Sequence, residues 1–293
     1  MLQAFLDYMR FERNASEKTI DAYRRDLEAF ESYFKGLDND LSWETIDTDV
    51  ARGWVVDMME RGHKASSVQR RVAALRSCYK FLLRRGHVSR DPVHLLQTPK
   101  KERVLPSFVR EADMDRLLDN DEAWSNDFEG CRDKLIITMF YSTGIRLSEL
   151  IGLDMDDVSV QALTIKVTGK GNKQRIVPFG DELLYLINIY IGERAKICGA
   201  DTGAFFIGRK GGRMQTWKVR QIVKERLSTV TTLHKRSPHV LRHTFATTML
   251  NHHADLESVK ELLGHERLST TEIYTHTTFE ELKKIYREAH PRA

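Results

Sequence analysis

A chain of 293 residues is long for one domain and comfortable as two, and 41% hydrophobic residues are enough for sizeable cores. With 30% charged residues and no run near the roughly eighteen apolar residues that a membrane span needs, spanning helices are excluded. Three scattered cysteines, Cys78, Cys131 and Cys198, with no CxxC, argue against a disulfide framework or a cysteine zinc site and point to a reducing, cytoplasmic interior. The opening MLQAFLDYMRFERN sets acids and arginines among its apolar residues and lacks the layout of a signal peptide.

Residues 1–90 read as helices. Leu2, Phe5, Leu6 and Met9 make a first apolar stripe. Ser16 caps a second helix carrying Thr19, Ile20, Tyr23, Leu27 and Phe30, and a third begins near Thr48 with Val50, Trp54, Val55 and Met58. Ser66 or Ser67 caps a fourth, which Gly86 ends. Charge is uneven here: residues 1–60 hold 7 Lys and Arg against 14 Asp and Glu, net −7, whereas 61–103 hold 12 against 2, net +10. In the fourth helix Val68, Val72, Leu75, Tyr79, Leu82 and Leu83 recur at steps of three and four, leaving Arg70, Arg71, Arg76, Lys80, Arg84 and Arg85 for the other faces. A helix packed on one side and basic elsewhere suits a phosphate backbone, although basic runs also form ordinary solvated faces.

Asp91-Pro92 and the proline-bracketed run TPKKERVLP over 98–106 predict a boundary. The linker is placed at 97–106, between domains 1–96 and 107–293. The second domain starts with helices and contains one β signal: Leu163–Val167 alternates, TGKGN turns, and Arg175–Phe179 returns as a hairpin. Helices resume near Asp181 and run to the end, where Phe279, Leu282, Ile285 and Tyr286 make a last apolar stripe.

Four motifs in this domain carry chemistry. In TGIRLSEL, Gly144 marks a break and Arg146 stands at a helix N-terminus, where partial positive charge favours an anion; it could also simply pair with Glu149 at i+3. In GKGNK, glycines let Lys170 project from a hairpin tip, with Lys173 beside it, and no Walker loop is present. In SPHVLRH, Ser237 as N-cap and Pro238 at N1 start a helix with His239 and Arg242 on one face. His239 and His243 have a zinc spacing, but HExxH is missing and Arg242 on that face repels a dication, so His243 reads as a hydrogen-bonded core histidine. In ELLGH, Gly264 ends a helix and leaves His265 at the turn, while Ser269 or Thr270 caps a helix carrying Tyr274.

Two arginines, a lysine, two histidines and a tyrosine form a set suited to attack on a phosphodiester without metal. Arginines clamp phosphate oxygens bidentately and stabilise the extra charge of a pentavalent transition state. With a pKa near 10, only about one neutral-pH tyrosine in a thousand is ionised, so the nucleophile needs a base or a cationic site. A lysine can protonate the leaving oxygen. No acidic metal cluster accompanies these motifs.

The set TGIRLSEL, GKGNKQRIVP, SPHVLRHTFAT and ELLGHERLSTTEIYTH resembles, in order and spacing, the tyrosine recombinases (the phage-integrase family), and within them the Xer type. The likeness runs over essentially the whole chain, through the closing AHPRA. It implies a mainly α fold: a SAM-like helical core-binding domain at 1–96 and an α-rich catalytic domain with a small β-hairpin at 107–293. It implies Arg146, Lys170, His239, Arg242 and His265 as the activating set and Tyr274 as nucleophile, with no metal and no cofactor. The expected DNA contacts are Arg70, Arg71, Arg76, Lys80, Arg84 and Lys173.

The implied reaction is cleavage through a 3′-phosphotyrosyl link and rejoining by a 5′-hydroxyl from a partner strand. The implied partners are duplex DNA with inverted-repeat half-sites and a homo- or hetero-tetramer on two sites, with room for a second Xer-type recombinase and a DNA translocase. The resemblance also implies that the last helix docks on a neighbouring protomer; the plainer alternative is that it closes its own core. Resolution of chromosome dimers is the leading role. Integration of a mobile element, topoisomerase IB activity and a non-catalytic DNA-binding module are the rivals. Thr248 and Asn251-His252-His253 depart from the family pattern and touch none of the six positions.

Overall fold

The computed structural model describes residues 1–100, 107–197, 202–264 and 279–293, the side chain of Lys170 excepted; His265 and Tyr274 fall outside these residues. The chain separates into two compact units, Met1–Val104 and Leu105–Ala293.

In the first unit α1 (Leu2–Asp7) runs into a π-type turn, Tyr8–Glu12, followed by α2 (Glu17–Leu37), α3 (Thr48–Glu60) and α4 (Ala65–Arg84). Ser16 caps α2 as its sequence predicts, its Oγ accepting from the Thr19 N–H at 3.3 Å. Asp47 caps α3 through the N–H groups of Asp49 and Val50, both at 2.9 Å. These side chains satisfy amide donors that the first helical turn leaves without partners. The apolar stripes meet in one core where Phe30 lies 4.9 Å from Trp54 between ring centroids, and the Tyr79 hydroxyl donates to the Trp43 carbonyl at 3.0 Å.

Two expectations for α4 are corrected. The helix begins at Ala65 with Lys64 at the N-cap, so Ser66 and Ser67 lie inside its first turn and neither caps it. Leu83 is 44% exposed. Adjacent helical residues point about 100° apart, and Leu82 already occupies the buried side. The basic residues of α4 also differ among themselves. Arg70 pairs with the buried Asp26 of α2, and Arg71 Nε stands 3.7 Å from the same carboxylate. Arg76 donates to the carbonyls of Val93 and Leu96, whereas Lys80 and Arg84 are exposed.

The second unit contains α5 (Glu111–Leu118), α6 (Phe128–Thr143), α7 (Leu147–Gly152), strands β1 (Val158–Ser159), β2 (Thr164–Thr168) and β3 (Gln174–Pro178), then α8 (Asp181–Ile197), α9 (Thr216–Ser228), α10 (Pro238–Asn251), α11 (Leu256–Leu263) and α12 (Phe279–Ala289). Helix α6 is apolar on every side through Leu135, Ile136, Ile137, Met139, Phe140 and Tyr141, all buried, and it forms the axis against which α8, α9 and α10 pack. The predicted hairpin is β2–β3, antiparallel with Val167 opposite Arg175. β1 adds a third strand at its edge, too short to leave a periodic signal in the sequence.

The apolar stripe of α12 closes the core of its own unit, Leu282, Tyr286 and Ala289 packing with Phe245 and Met249 of α10 and Leu262 and Leu263 of α11. Beyond it, Arg292 donates to Glu182 at 2.6 Å, Asp119 at 2.7 Å and Asp115 at 2.9 Å. Gly180 leaves room for the last residue, since a Cβ there would come within 2.0 Å of the Ala293 carbonyl carbon. No described helix is long and apolar enough to cross a membrane.

His290 is buried between these elements. Its ring stacks on Phe245 and Tyr286, Nδ1 accepts from the Arg292 N–H at 3.2 Å, and Nε2 donates to the Tyr141 carbonyl at 3.2 Å. Burial pushes its pKa down to about 3; the Tyr141 bond opposes this, and the charges of Arg292 and His252 add to it. A neutral buried histidine of this kind contributes stability that is present above the unfolded value near 6.5 and is lost as pH falls toward 3. Acidification from pH 7 to 4 is therefore expected to lower the melting temperature of the wild type more steeply than that of His290→Gln. The stability gap between the two should shrink over that range by about 3 kcal/mol at most. Parallel melting curves across that range would remove His290 as a source of acid sensitivity.

Candidate active site

Helix α6 ends at Gly144, whose φ of +60° is the left-handed cap that glycine adopts without strain. A Cβ at this position would lie 2.5 Å from the Phe245 ring and 2.8 Å from Leu263, so the turn is closed to side chains. The reversal sets Arg146 at the N-cap of α7, with Glu149 one turn on. Glu149 is 1% exposed, yet its carboxylate is fully engaged. Oε2 accepts from the Arg146 backbone N–H at 2.7 Å, and Oε1 accepts from Arg146 Nη1 at 2.7 Å. Arg175 of β3 approaches from the hairpin with a two-pronged grip, Nη1 to Oε1 at 2.8 Å and Nη2 to Oε2 at 3.0 Å.

Ser237 and Pro238 start α10 as predicted, although the Ser237 hydroxyl makes no capping bond. One turn in, Arg242 is buried and donates through Nη1 to the Gly144 carbonyl and through Nη2 to the Leu263 carbonyl, both at 2.7 Å. Helix α11 ends at Gly264, φ +64°, as predicted. Its last carbonyls converge on the same cations: Leu262 accepts from Arg175 Nε at 2.9 Å, Leu263 from Arg242, and Gly264 from Arg146 Nη2 at 2.8 Å. A helix C-terminus carries partial negative charge and carbonyls without helical partners, so three guanidinium groups are its natural complement.

The electrostatics follow from that crowding. Burial pushes Glu149 up, but the Arg175 fork and the Arg146 amide outweigh it and hold the carboxyl at about 2. Burial, and after it the nearby Arg146 charge, brings Arg242 down to about 10, still protonated at neutral pH. His239 is exposed at the rim. Partial burial and the charges of Lys235, Arg242, Arg220 and Arg146 press its imidazole below the usual histidine range, so it is neutral at pH 7 and able to accept or donate a proton.

The structure thus brings Arg146 and Arg242 into one cationic cluster, with His239 close enough to feel both charges. The Arg146–Glu149 pair that the spacing suggests is present and is part of the cluster. Lys170 and Lys173 sit on the turn between β2 and β3, where Gly171 has φ +73°. His265 and Tyr274 are outside the described residues. His243 is corrected: it is half-buried with its ring edge-on to Phe108, one step around α10 from the buried face, and is not a core histidine. Sequence reasoning gave no role to Arg175 or Arg220. The first is visible as an arginine in the GKGNKQRIVP motif, the second as one of several cations on the amphipathic α9.

Residues 107–281 match the phage integrase family model, and residues 2–86 match the phage integrase N-terminal SAM-like domain. The chain belongs to the phage integrase family. Among its relatives, tyrosine recombinase XerC of Azotobacter vinelandii is 41% identical over 294 residues, which cover 100% of this chain and 96% of that protein. Tyrosine recombinase XerD of Oceanobacillus iheyensis is 35% identical over 295 residues, covering 100% and 98%. In fold, the chain is similar to the XerH site-specific recombinase bound to a palindromic difH substrate, with a TM-score of 0.73 at 20% identity over 99% of this chain and 82% of that one. The protein is a site-specific tyrosine recombinase, a DNA-binding enzyme that cuts and rejoins strands.

Glu149→Gln keeps the shape of the side chain and removes the carboxylate that, among the described residues, the cluster shares. It is expected to lower stability by about 3 kcal/mol, because two partly buried guanidinium groups lose their counter-charge. The carboxyl titrates near 2, below its ordinary value of 4.5, so its contribution is present above pH 4.5 and fades as pH falls toward 2. Urea denaturation at pH 7 and pH 3 checks this: the wild type and Glu149→Gln should differ more at pH 7.

Proposed function

We propose that Tyr274 is the nucleophile and that Arg146, Lys170, His239, Arg242 and His265 activate the scissile phosphate. The reading is carried by one observation, the clustering of Arg146 and Arg242 from separate motifs at a single point. Each of these two uses two Nη hydrogens on protein acceptors among the described residues, so Nε and the remaining Nη hydrogens are available to phosphate oxygens. Tyr274 Oη gives its proton to a histidine of the set as it attacks phosphorus, the bond to the 5′ oxygen breaks, and Lys170 supplies the proton that makes a 5′-hydroxyl. A 5′-hydroxyl from a partner strand then attacks the phosphotyrosyl bond and returns the tyrosine. The number of phosphoester bonds is conserved, so no nucleotide hydrolysis enters. His239, neutral at pH 7, and His265 move protons and hydrogen-bond the phosphate.

In this reading residues 1–96 clamp the DNA, 97–106 link, and 107–293 catalyse. The protein works in the cytoplasm as a tetramer on two inverted-repeat sites, with a second Xer-type recombinase and a translocase as partners, and resolves chromosome dimers at division. Support for that role comes from full-length likeness to proteins named XerC and XerD.

Covalent trapping on nicked duplexes carrying candidate inverted repeats, in the presence of chelator, tests the chemistry. An SDS-resistant adduct is expected from the wild type and not from Tyr274→Phe, which should still bind. Arg146→Ala and Arg242→Ala should slow adduct formation by about 10²-fold or more with smaller losses of binding. An adduct persisting in Tyr274→Phe would overturn the assignment of the nucleophile.

The DNA contacts of α4 divide by their partners. Reversing Lys80 and Arg84, which are exposed, should weaken binding, flatten its salt dependence and leave the melting temperature nearly unchanged. Reversing Arg70 and Arg71 should also lower the melting temperature by about 4 °C or more, since the buried Asp26 then faces like charge. Binding of the Lys80 and Arg84 variant with an unaltered salt slope would refute the basic-helix contact.

A further inference from the structure

Arg175 stands apart from the other cations of the cluster in how its hydrogens are used. Its side chain is 16% exposed. The outer fork closes on both oxygens of Glu149, and Nε closes on the Leu262 carbonyl. It also runs directly beneath Gly264, where a Cβ would lie 3.1 Å from Arg175 Cδ and Nη1. Each of the three guanidinium nitrogens therefore has a hydrogen on a protein acceptor, and with the side chain only 16% exposed this arrangement serves to hold other groups in place more than to offer donors to a phosphate.

What it holds is the frame of the proposed phosphate clamp. Glu149 Oε1 is shared between Arg175 and Arg146. With both oxygens in the Arg175 fork, the carboxylate is held in one orientation, the one that puts Oε1 on Arg146 Nη1. At the other end, the Leu262 carbonyl is one residue from the Arg242 acceptor and two from the Arg146 acceptor. Arg175 thereby ties the hairpin to the last turn of α11, from which the chain continues to His265 and Tyr274.

We propose that Arg175 is a positioning residue for strand cleavage, setting Arg146 through Glu149 and the end of α11 through the Leu262 carbonyl, without itself binding the phosphate. This rests on the reading that Arg146, Arg242 and Tyr274 carry the cleavage. A positioning group acts on the rate of the chemical step at saturating DNA and only weakly on affinity, because misplacing a clamp by an ångström lowers the rate far more than the binding. Lysine can meet one acceptor but lacks the planar fork, so it restores part of the effect.

The experiment uses the full chain and the inverted-repeat nicked duplex that the wild type traps best. Wild type, Arg175→Gln, Arg175→Lys and Tyr274→Phe are compared for melting temperature, for Kd by gel shift and for the single-turnover rate of adduct formation at saturating DNA. The expected result for Arg175→Gln is a Kd within about threefold of wild type and a cleavage rate lowered about tenfold or more, with Arg175→Lys between the two. A rate within threefold of wild type would overturn the proposal. So would a parallel fall in melting temperature, affinity and rate that lysine does not relieve, since that is the signature of a merely structural arginine. An adduct formed by Tyr274→Phe would instead strike the underlying reading of the site, and is distinguishable from either of those results.

Discussion

The buried carboxylate of Glu149 organises the second unit. Glu149 arrives one turn into α7 because Gly144 stops α6 in a left-handed cap, and it is surrounded by charges that would otherwise repel one another. Removing an isolated carboxylate from water is strongly unfavourable; with a bidentate guanidinium, a second guanidinium and a backbone amide around it, the same group becomes a fixed anchor. Through it, a helix start, a hairpin and a helix end are brought together from positions far apart in the chain.

The second constraint is the carbonyl end of α11. Arg175, Arg242 and Arg146 each take one of three consecutive carbonyls, at Leu262, Leu263 and Gly264. Positive charge is thus gathered at one point and, among the described residues, compensated by a helix terminus and the Glu149 carboxylate. The position of α11 is in turn fixed from behind by α12, whose apolar side packs on α10 and α11, and by the Arg292 contacts that fasten the segment beyond it.

Much of this was legible in the sequence, for local reasons. Gly144 and Gly264 announce helix ends by the conformations they permit, Ser16 and Ser237-Pro238 announce starts, and alternation announces the β2–β3 hairpin. The Arg146–Glu149 pair is visible because i+3 spacing places both on one helical face. The use of Arg175 is not visible, because its partners lie 26 and 87 residues away and no local period connects them. The same limit explains α4: its periodicity correctly gives the packed face through Leu82, but not that Arg70 and Arg76 reach acceptors within their own unit while Arg71 lies within ion-pair range of Asp26. His265 and Tyr274 stand on the motif alone.

Gly144 carries three duties at one backbone position: a left-handed φ, a surface too close to Phe245 and Leu263 for any Cβ, and a carbonyl that receives Arg242. Most positions in a protein can drift through chemically similar residues and recover by repacking nearby. This one has no neighbouring residue type to drift to, since alanine already violates two of the three duties and compensation would need simultaneous changes in α10 and α11. Random mutagenesis followed by selection for recombination should therefore leave a gap at position 144 even where surrounding core positions accept several residues.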